Sequence, residues 1–168
     1  MSYQKTLRQP VVLSGIGLHS GEPVTATLLP SGPGTGIRFQ RAGGERMHAL
    51  FRNVRASQLA VTLGAGPSAI STVEHLLSAA SGLEIDNLLV EVSGGEIPIL
   101  DGSSYLILSA LESAGVVLQA EPRRFLRVKR RIEVQEGDRS VKIEPGYGLD
   151  ITAIIEWEHS LIGKQTFQ

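Results

Sequence analysis

The 168-residue chain carries 16 lysines and arginines against 17 aspartates and glutamates, with 42% hydrophobic, 20% charged and 5% aromatic residues. That balance describes a folded globular protein of one ordinary domain or slightly more, and a net charge of −1 with few aromatics excludes a basic nucleic-acid footprint, a pull to anionic membranes and a base-stacking surface. The absence of cysteine excludes disulfides, thiolate zinc sites and a thiol nucleophile; no run approaches the ~18 apolar residues of a membrane span, and the N-terminus lacks an apolar signal core, so a cytoplasmic protein is expected.

Residues 4–13 read as a first strand, with Pro10 marking an edge or bulge. Ser14-Gly15-Ile16-Gly17-Leu18-His19-Ser20-Gly21 is a tight glycine-rich connection. It has neither the spacing nor the following helix of a dinucleotide fingerprint. Val24, Ala26 and Leu28 alternate with Thr25 and Thr27 as in a half-buried strand. A turn cluster from Pro30 to Gly36 leads into a third strand at Ile37-Arg38-Phe39, so the opening reads as a β-meander. Residues 47–51 alternate again, and 59–63 form a short strand ended by Gly64-Ala65-Gly66-Pro67.

A helix follows. Ser71 reads as its N-cap and Glu74 completes a capping box. Val73, Leu76, Leu77 and Ala80 form its buried stripe, and Gly82 its stop. At about 100° per residue, Glu74 and His75 fall together on the polar side. Asp86 to Val92 is a strong strand, and Ile97-Pro98-Ile99-Leu100 a short apolar piece held near the surface by its proline. Asp101-Gly102-Ser103-Ser104 starts a second helix with the stripe Ile107, Ala110, Leu111, Ala114 and a stop at Gly115. Residues 1–121 therefore read as an α+β domain, a two-layer sandwich of a β-meander sheet packed by two helices. Residues 122–168 read as the first strands of a second similar domain: 125–134, 140–143 and 149–157, with no helix to cover them. Three uncovered strands make a poor domain, so aggregation or loss of order is expected after about residue 122 in the isolated chain.

None of the four histidines, His19, His48, His75 and His159, has Asp, Glu or His four residues on, so helical metal pairs are absent. Taken locally, Glu74-His75 is either a solvated pair on a capped helix or a base beside a ligand. The six basic residues between Arg123 and Arg131 read as an edge strand protected by charge, or as an anion-facing surface. Trp157, the sole tryptophan, is either a core or edge aromatic or a stacking platform.

Ordered blocks decide between these readings. Gln4-Lys5-Thr6-Leu7, Gly15-Ile16-Gly17-Leu18-His19-Ser20-Gly21, Ser71-Thr72-Val73-Glu74-His75-Leu76, Asp86-Asn87, Glu96-Ile97-Pro98-Ile99-Leu100-Asp101-Gly102-Ser103 and His159-Ser160-Leu161-Ile162-Gly163-Lys164-Gln165 resemble, in sequence order, the UDP-3-O-acyl-N-acetylglucosamine deacetylases, zinc enzymes of lipid A biosynthesis. Ser160 stands where that family usually has proline. The resemblance implies two similar α+β domains with the active site between them, and a monomeric full-length protein. It implies Zn2+ as cofactor, His75 as a zinc ligand, Glu74 as general base, and Trp157 near the uridine. His19 is a second substrate-binding candidate, with no chemical step assigned. The implied reaction is hydrolysis of the N-acetyl group of UDP-3-O-((R)-3-hydroxyacyl)-N-acetylglucosamine, releasing acetate. The family's other two zinc ligands lie in an H-K-x-x-D segment, followed by a histidine general acid, and this sequence contains neither. The chain is therefore expected to be an N-terminal portion of such an enzyme, binding zinc weakly and deacetylating little alone. The alternative is a short non-catalytic paralogue that binds a nucleotide sugar or a protein partner.

Overall fold

The alternation along residues 24–28 is what builds the main sheet. In the computed structural model, which describes residues 2–168, Val24, Ala26 and Leu28 are buried and Thr25 and Thr27 half-buried. The chain forms two compact units, one reaching Arg123 and the other starting at Arg124. The first contains β1 (Tyr3–Leu7), β2 (Val11–Ile16), β3 (Pro23–Pro30), β4 (Ile37–Arg41), β5 (Met47–His48), β6 (Val54–Ala56), β7 (Thr62–Leu63), α1 (Glu74–Gly82), β8 (Leu88–Val92), α2 (Tyr105–Ala114) and β9 (Val116–Pro122).

The five-stranded sheet has the order β2-β3-β8-β4-β5. It is not the simple meander expected from the sequence, because β8 inserts between β3 and β4, antiparallel to the first and parallel to the second. Composition explains the insertion. Leu88, Leu89, Val90 and Val92 are all buried, and so apolar a strand is shielded only at the centre of a sheet. The inner face, with Leu28, Phe39, Leu88 and Val90, packs under Leu76 and Ala80 of α1 and Ile107 and Leu111 of α2. Thr25, Thr27, Gln40 and Glu91 point the other way and border a shallow cleft. This is a two-layer α+β sandwich.

Local readings were corrected in several places. The single strand expected over 4–13 is two, since Arg8-Gln9-Pro10 breaks the pairing: β1 joins β9 and β2 joins β3. Strand β9, which follows the left-handed Gly115 (φ 78), carried no sequence expectation. Ile97 and Pro98 are buried rather than held near the surface, because Ile97 donates to the Ser71 carbonyl at 3.1 Å and the proline packs near Gly15.

One polar knot locks the first unit. Asn87, 1% exposed, accepts from the Gly36 N–H at 2.8 Å and donates to Gln4 Oε1 at 2.8 Å and Gln119 Oε1 at 2.7 Å. Its carbonyl accepts from the Thr6 hydroxyl at 2.7 Å. Beside it, Asp86 accepts from the Lys5 N–H at 2.9 Å and from the Arg123 guanidinium at 2.8 Å. The Asp86-Asn87 block thus ties β1 and β9 to the start of β8 and needs no catalytic role to account for it.

The second unit holds β10 (Ile132–Glu136), β11 (Arg139–Ile143), β12 (Ala153–Glu156) and β13 (Lys164–Phe167), paired as two antiparallel hairpins. The strand expected over 125–134 begins only at Ile132. Residues 123–130 lie outside any strand, with Arg127 and Lys129 beside Pro145 and Tyr147 at a cleft. No residue from 124 to 168 is buried. Isolated hairpins without a buried face are marginal in water.

Two measurements follow from this architecture. Asn87→Leu leaves the Gly36 N–H without its acceptor in a buried setting and should lower stability in urea unfolding by about 2–4 kcal/mol; a loss below about 1 kcal/mol would show the knot to be dispensable. Amide hydrogen exchange should show strong protection in β3 and β8 and little in β10–β13. Comparable protection in both units would contradict the absence of a core in the second.

Candidate active site

Three sequence blocks meet beyond the exit of β8. The segment Gly95–Ile99 runs between the glycine-rich turn and the residues leading into α1. Ile99 N–H donates to the Ile16 carbonyl at 3.0 Å on one side. On the other, Ser71 N–H donates to the Gly95 carbonyl at 2.9 Å, and Ile97 N–H to the Ser71 carbonyl at 3.1 Å. Ser71 is therefore locked in extended pairing and cannot cap the helix. The expected capping box is absent: α1 starts at Glu74, with Val73 at the N-cap position and no side-chain cap. Thr72, at φ 59, makes the bend between the extended segment and the helix. A β-branched residue rarely adopts that left-handed conformation.

The side chain at the junction is Glu96, which sequence reasoning passed over. It is 4% exposed, and its carboxylate accepts four hydrogen bonds. Oε1 takes the His19 N–H at 3.0 Å and the Thr72 hydroxyl at 2.8 Å. Oε2 takes the Ser20 N–H at 3.0 Å and the Ser20 hydroxyl at 2.8 Å. The turn must have glycine at position 17, because a Cβ there would meet Glu96 Oε2 and lie 2.9 Å from Glu96 Cδ. Burial pushes this carboxyl up; the His19, Ser20 and Thr72 donors outweigh it and hold it below the ordinary glutamate value of 4.5. The available signal was a glutamate beside an apolar run, facing a glycine-rich turn rich in unpaired N–H groups.

Glu74 and His75 stand half-buried in the first turn of α1. Glu74 is not spent on capping its own helix. Its Oε2 accepts from the Val61 N–H at 3.1 Å, which fixes the carboxylate against the preceding segment. The His75 side chain makes no hydrogen bond or ion pair with the described residues, so both ring nitrogens remain open. His19 is exposed, and its backbone reaches Thr72 through the single Glu96 carboxylate. The structure thus brings the His19 turn and the segment that delivers Glu74 and His75 to one place. Trp157 belongs to the second unit, where it is 61% exposed just after β12 and its backbone N–H donates to the Gly163 carbonyl at 3.0 Å. Asp101-Gly102-Ser103 serves the second helix: Asp101 accepts from the Ser103 N–H at 3.0 Å, and Ser103 Oγ accepts from the Tyr105 N–H at 3.1 Å at the start of α2.

A half-buried imidazole with open nitrogens, next to an anchored carboxylate, suits one metal ligand and its base. A catalytic zinc takes three protein ligands, and among the described residues no group of three or more His, Cys, Asp and Glu gathers to hold a metal.

Residues 4–168 match the family model described as LpxC, UDP-3-O-acyl N-acetylglycosamine deacetylase. Proteins named UDP-3-O-acyl-N-acetylglucosamine deacetylase from Brucella melitensis, Brucella ovis and Brucella abortus are each 43% identical over 169 residues. The match covers 99% of this chain and 59% of each relative, so the chain spans a little over half the length of these proteins.

The folded carboxyl of Glu96 binds a proton less tightly than in the unfolded chain. Its stabilisation is therefore complete above 4.5 and is lost as pH falls through the depressed folded value. Urea unfolding on the acid side of 4.5 should show a steeper loss for the parent chain than for Glu96→Gln. Parallel curves would mean the four hydrogen bonds do not favour the ionised form.

Proposed function

The chain belongs to the UDP-3-O-acyl N-acetylglycosamine deacetylase family, and from that membership we propose that it supplies the Glu74 and His75 part of a zinc-dependent deacetylase centre. The substrate is the UDP-linked, 3-O-acylated N-acetylglucosamine of lipid A biosynthesis, and the reaction hydrolyses its acetamide to release acetate. The observation that carries the reading is the pairing at the start of α1: a carboxylate pinned by the Val61 N–H beside an imidazole with both nitrogens open.

Amides are poor electrophiles and water is a poor nucleophile. Zinc, when bound, supplies the Lewis acidity that polarises the carbonyl and acidifies water. His75 provides one ligand. Glu74 is the general base: with Oε2 anchored by Val61, Oε1 is free to take the proton of the attacking water. The next-door position of ligand and base lets both act on one water. His19, exposed on its turn, and Trp157, exposed just after β12, are the residues assigned to substrate contact, Trp157 through stacking on the uracil ring. Among the described residues no helix is long and apolar enough to cross a membrane; the cytoplasmic location is proposed from the family resemblance alone.

In the full-length protein, Glu74→Gln should lower the rate of acetate release by about 10²–10⁴-fold with little change in KM, as loss of a general base does. His75→Ala should abolish chelator-sensitive activity. The 168-residue chain alone should release little acetate, because it offers one ligand of three. Robust chelator-sensitive activity from it would overturn the assignment of the remaining ligands to other residues. Calorimetric binding of UDP without any response to Zn2+ would favour a non-catalytic nucleotide-sugar binder instead.

A further inference from the structure

Glu96 makes no hydrogen bond to Glu74 or His75, yet the His19 turn and the Thr72 bend that precedes the pair both hang on it. Its four donors are two backbone N–H groups and two hydroxyls, and no ion pair involves it among the described residues. A buried carboxylate without a cation is tolerated only when its lone pairs are filled, as they are here. Each carboxylate oxygen meets one backbone N–H, His19 on Oε1 and Ser20 on Oε2, and an N–H can only donate, so a neutral amide would leave one of them unmet.

Thr72 gives the second observation. It sits at φ 59 between Ser71, fixed in extended pairing, and Val73, which precedes α1. Such a conformation in a β-branched residue persists only where its surroundings over-determine it. The Thr72 hydroxyl is buried and bonded to Glu96. The bend at Thr72 sets the direction in which the next residues, Glu74 and His75, leave the extended segment.

We infer that Glu96 is a positioning residue: its one carboxylate holds Thr72 in the left-handed bend that aims Glu74 and His75, and it fixes the His19 turn against the same point. The inference rests on the proposed role of Glu74 and His75. In Glu96→Gln one oxygen becomes an amide NH2. The hydroxyls of Thr72 and Ser20 can rotate to accept from it, but the N–H of His19 or Ser20 cannot, so one backbone donor is left facing a donor.

The test uses the 168-residue chain and Zn2+ alone, followed by NMR of the histidine rings and backbone amides, with folding checked by circular dichroism. In the parent, Zn2+ should shift the His75 ring signals. Glu96→Gln should weaken that response about tenfold, the scale of one charge-assisted hydrogen bond in an equilibrium constant. It should also move the Thr72 HN–Hα coupling off its left-handed value. Adding Thr72→Gly, which adopts positive φ without strain, should restore the His75 response but not the His19 amide shift. If Glu96→Gln does not fold, Thr72→Val, which removes one donor, replaces it. A folded variant with the parent's Zn2+ response and Thr72 coupling, or a loss that Thr72→Gly does not repair, overturns the positioning role. A parent chain in which Zn2+ leaves His75 unmoved counts against the proposed metal site; the Thr72 coupling in Glu96→Gln then decides the positioning role by itself.

Discussion

The first unit depends on the burial of β8. Five residues, four of them buried apolar side chains, occupy the centre of the sheet with β3 on one side and β4 on the other. Burying Leu88, Val90 and Val92 in one cluster with Leu76, Ile107 and Leu111 is a main source of stability, at roughly 1.5–3 kcal/mol for each fully buried large side chain. A strand so enclosed cannot satisfy its own ends. The chain that enters and leaves it carries buried polar groups, and each end is closed by a knot built on one side chain.

The two knots differ in chemistry, and the difference separates structure from function. At the entry, Asn87 both donates and accepts, so a neutral amide satisfies the mixed donors and acceptors of β1, β9 and the Gly36 turn. That end joins β1 and β9 to the start of β8. At the exit, Glu96 only accepts, and each of its two oxygens meets a backbone N–H that can only donate. A charge held there serves two segments with candidate site residues on them, His19 on one and Glu74 with His75 on the other. The strained bend at Thr72 lies at this end.

The second unit shows the same reasoning in reverse. Its strands carry apolar residues such as Ile132, Val134, Ile154 and Ile155, all exposed, and its two hairpins have no covering layer among the described residues. Pairing of backbone groups is complete enough to form hairpins, but hairpin pairing without burial contributes little stability. The alternation that predicted strands there was sound for 140–143 and 153–156. It failed for 125–131, where the basic run lies outside any strand.

Local order alone determined a good deal: the two helices and their buried stripes, the alternating strand over 24–28, the stop of α2 at Gly115, and the Glu74-His75 pair; α1 runs through Gly82, the stop expected for it, to a C-cap at Leu83. Each of these follows from periodicity or backbone preference within a few residues, which is why it can be read without a fold. Tertiary structure decided the rest. The insertion of β8 between β3 and β4, the diversion of Ser71 from helix cap to strand partner, and the gathering of four donors on Glu96 all depend on residues 20 to 80 positions apart. Ser71 had the right side chain for a cap, but the backbone pairing with Gly95 and Ile97 claimed it first. Long-range hydrogen bonds of this kind overrule local propensity because a buried N–H or carbonyl left unpaired costs more than a cap contributes.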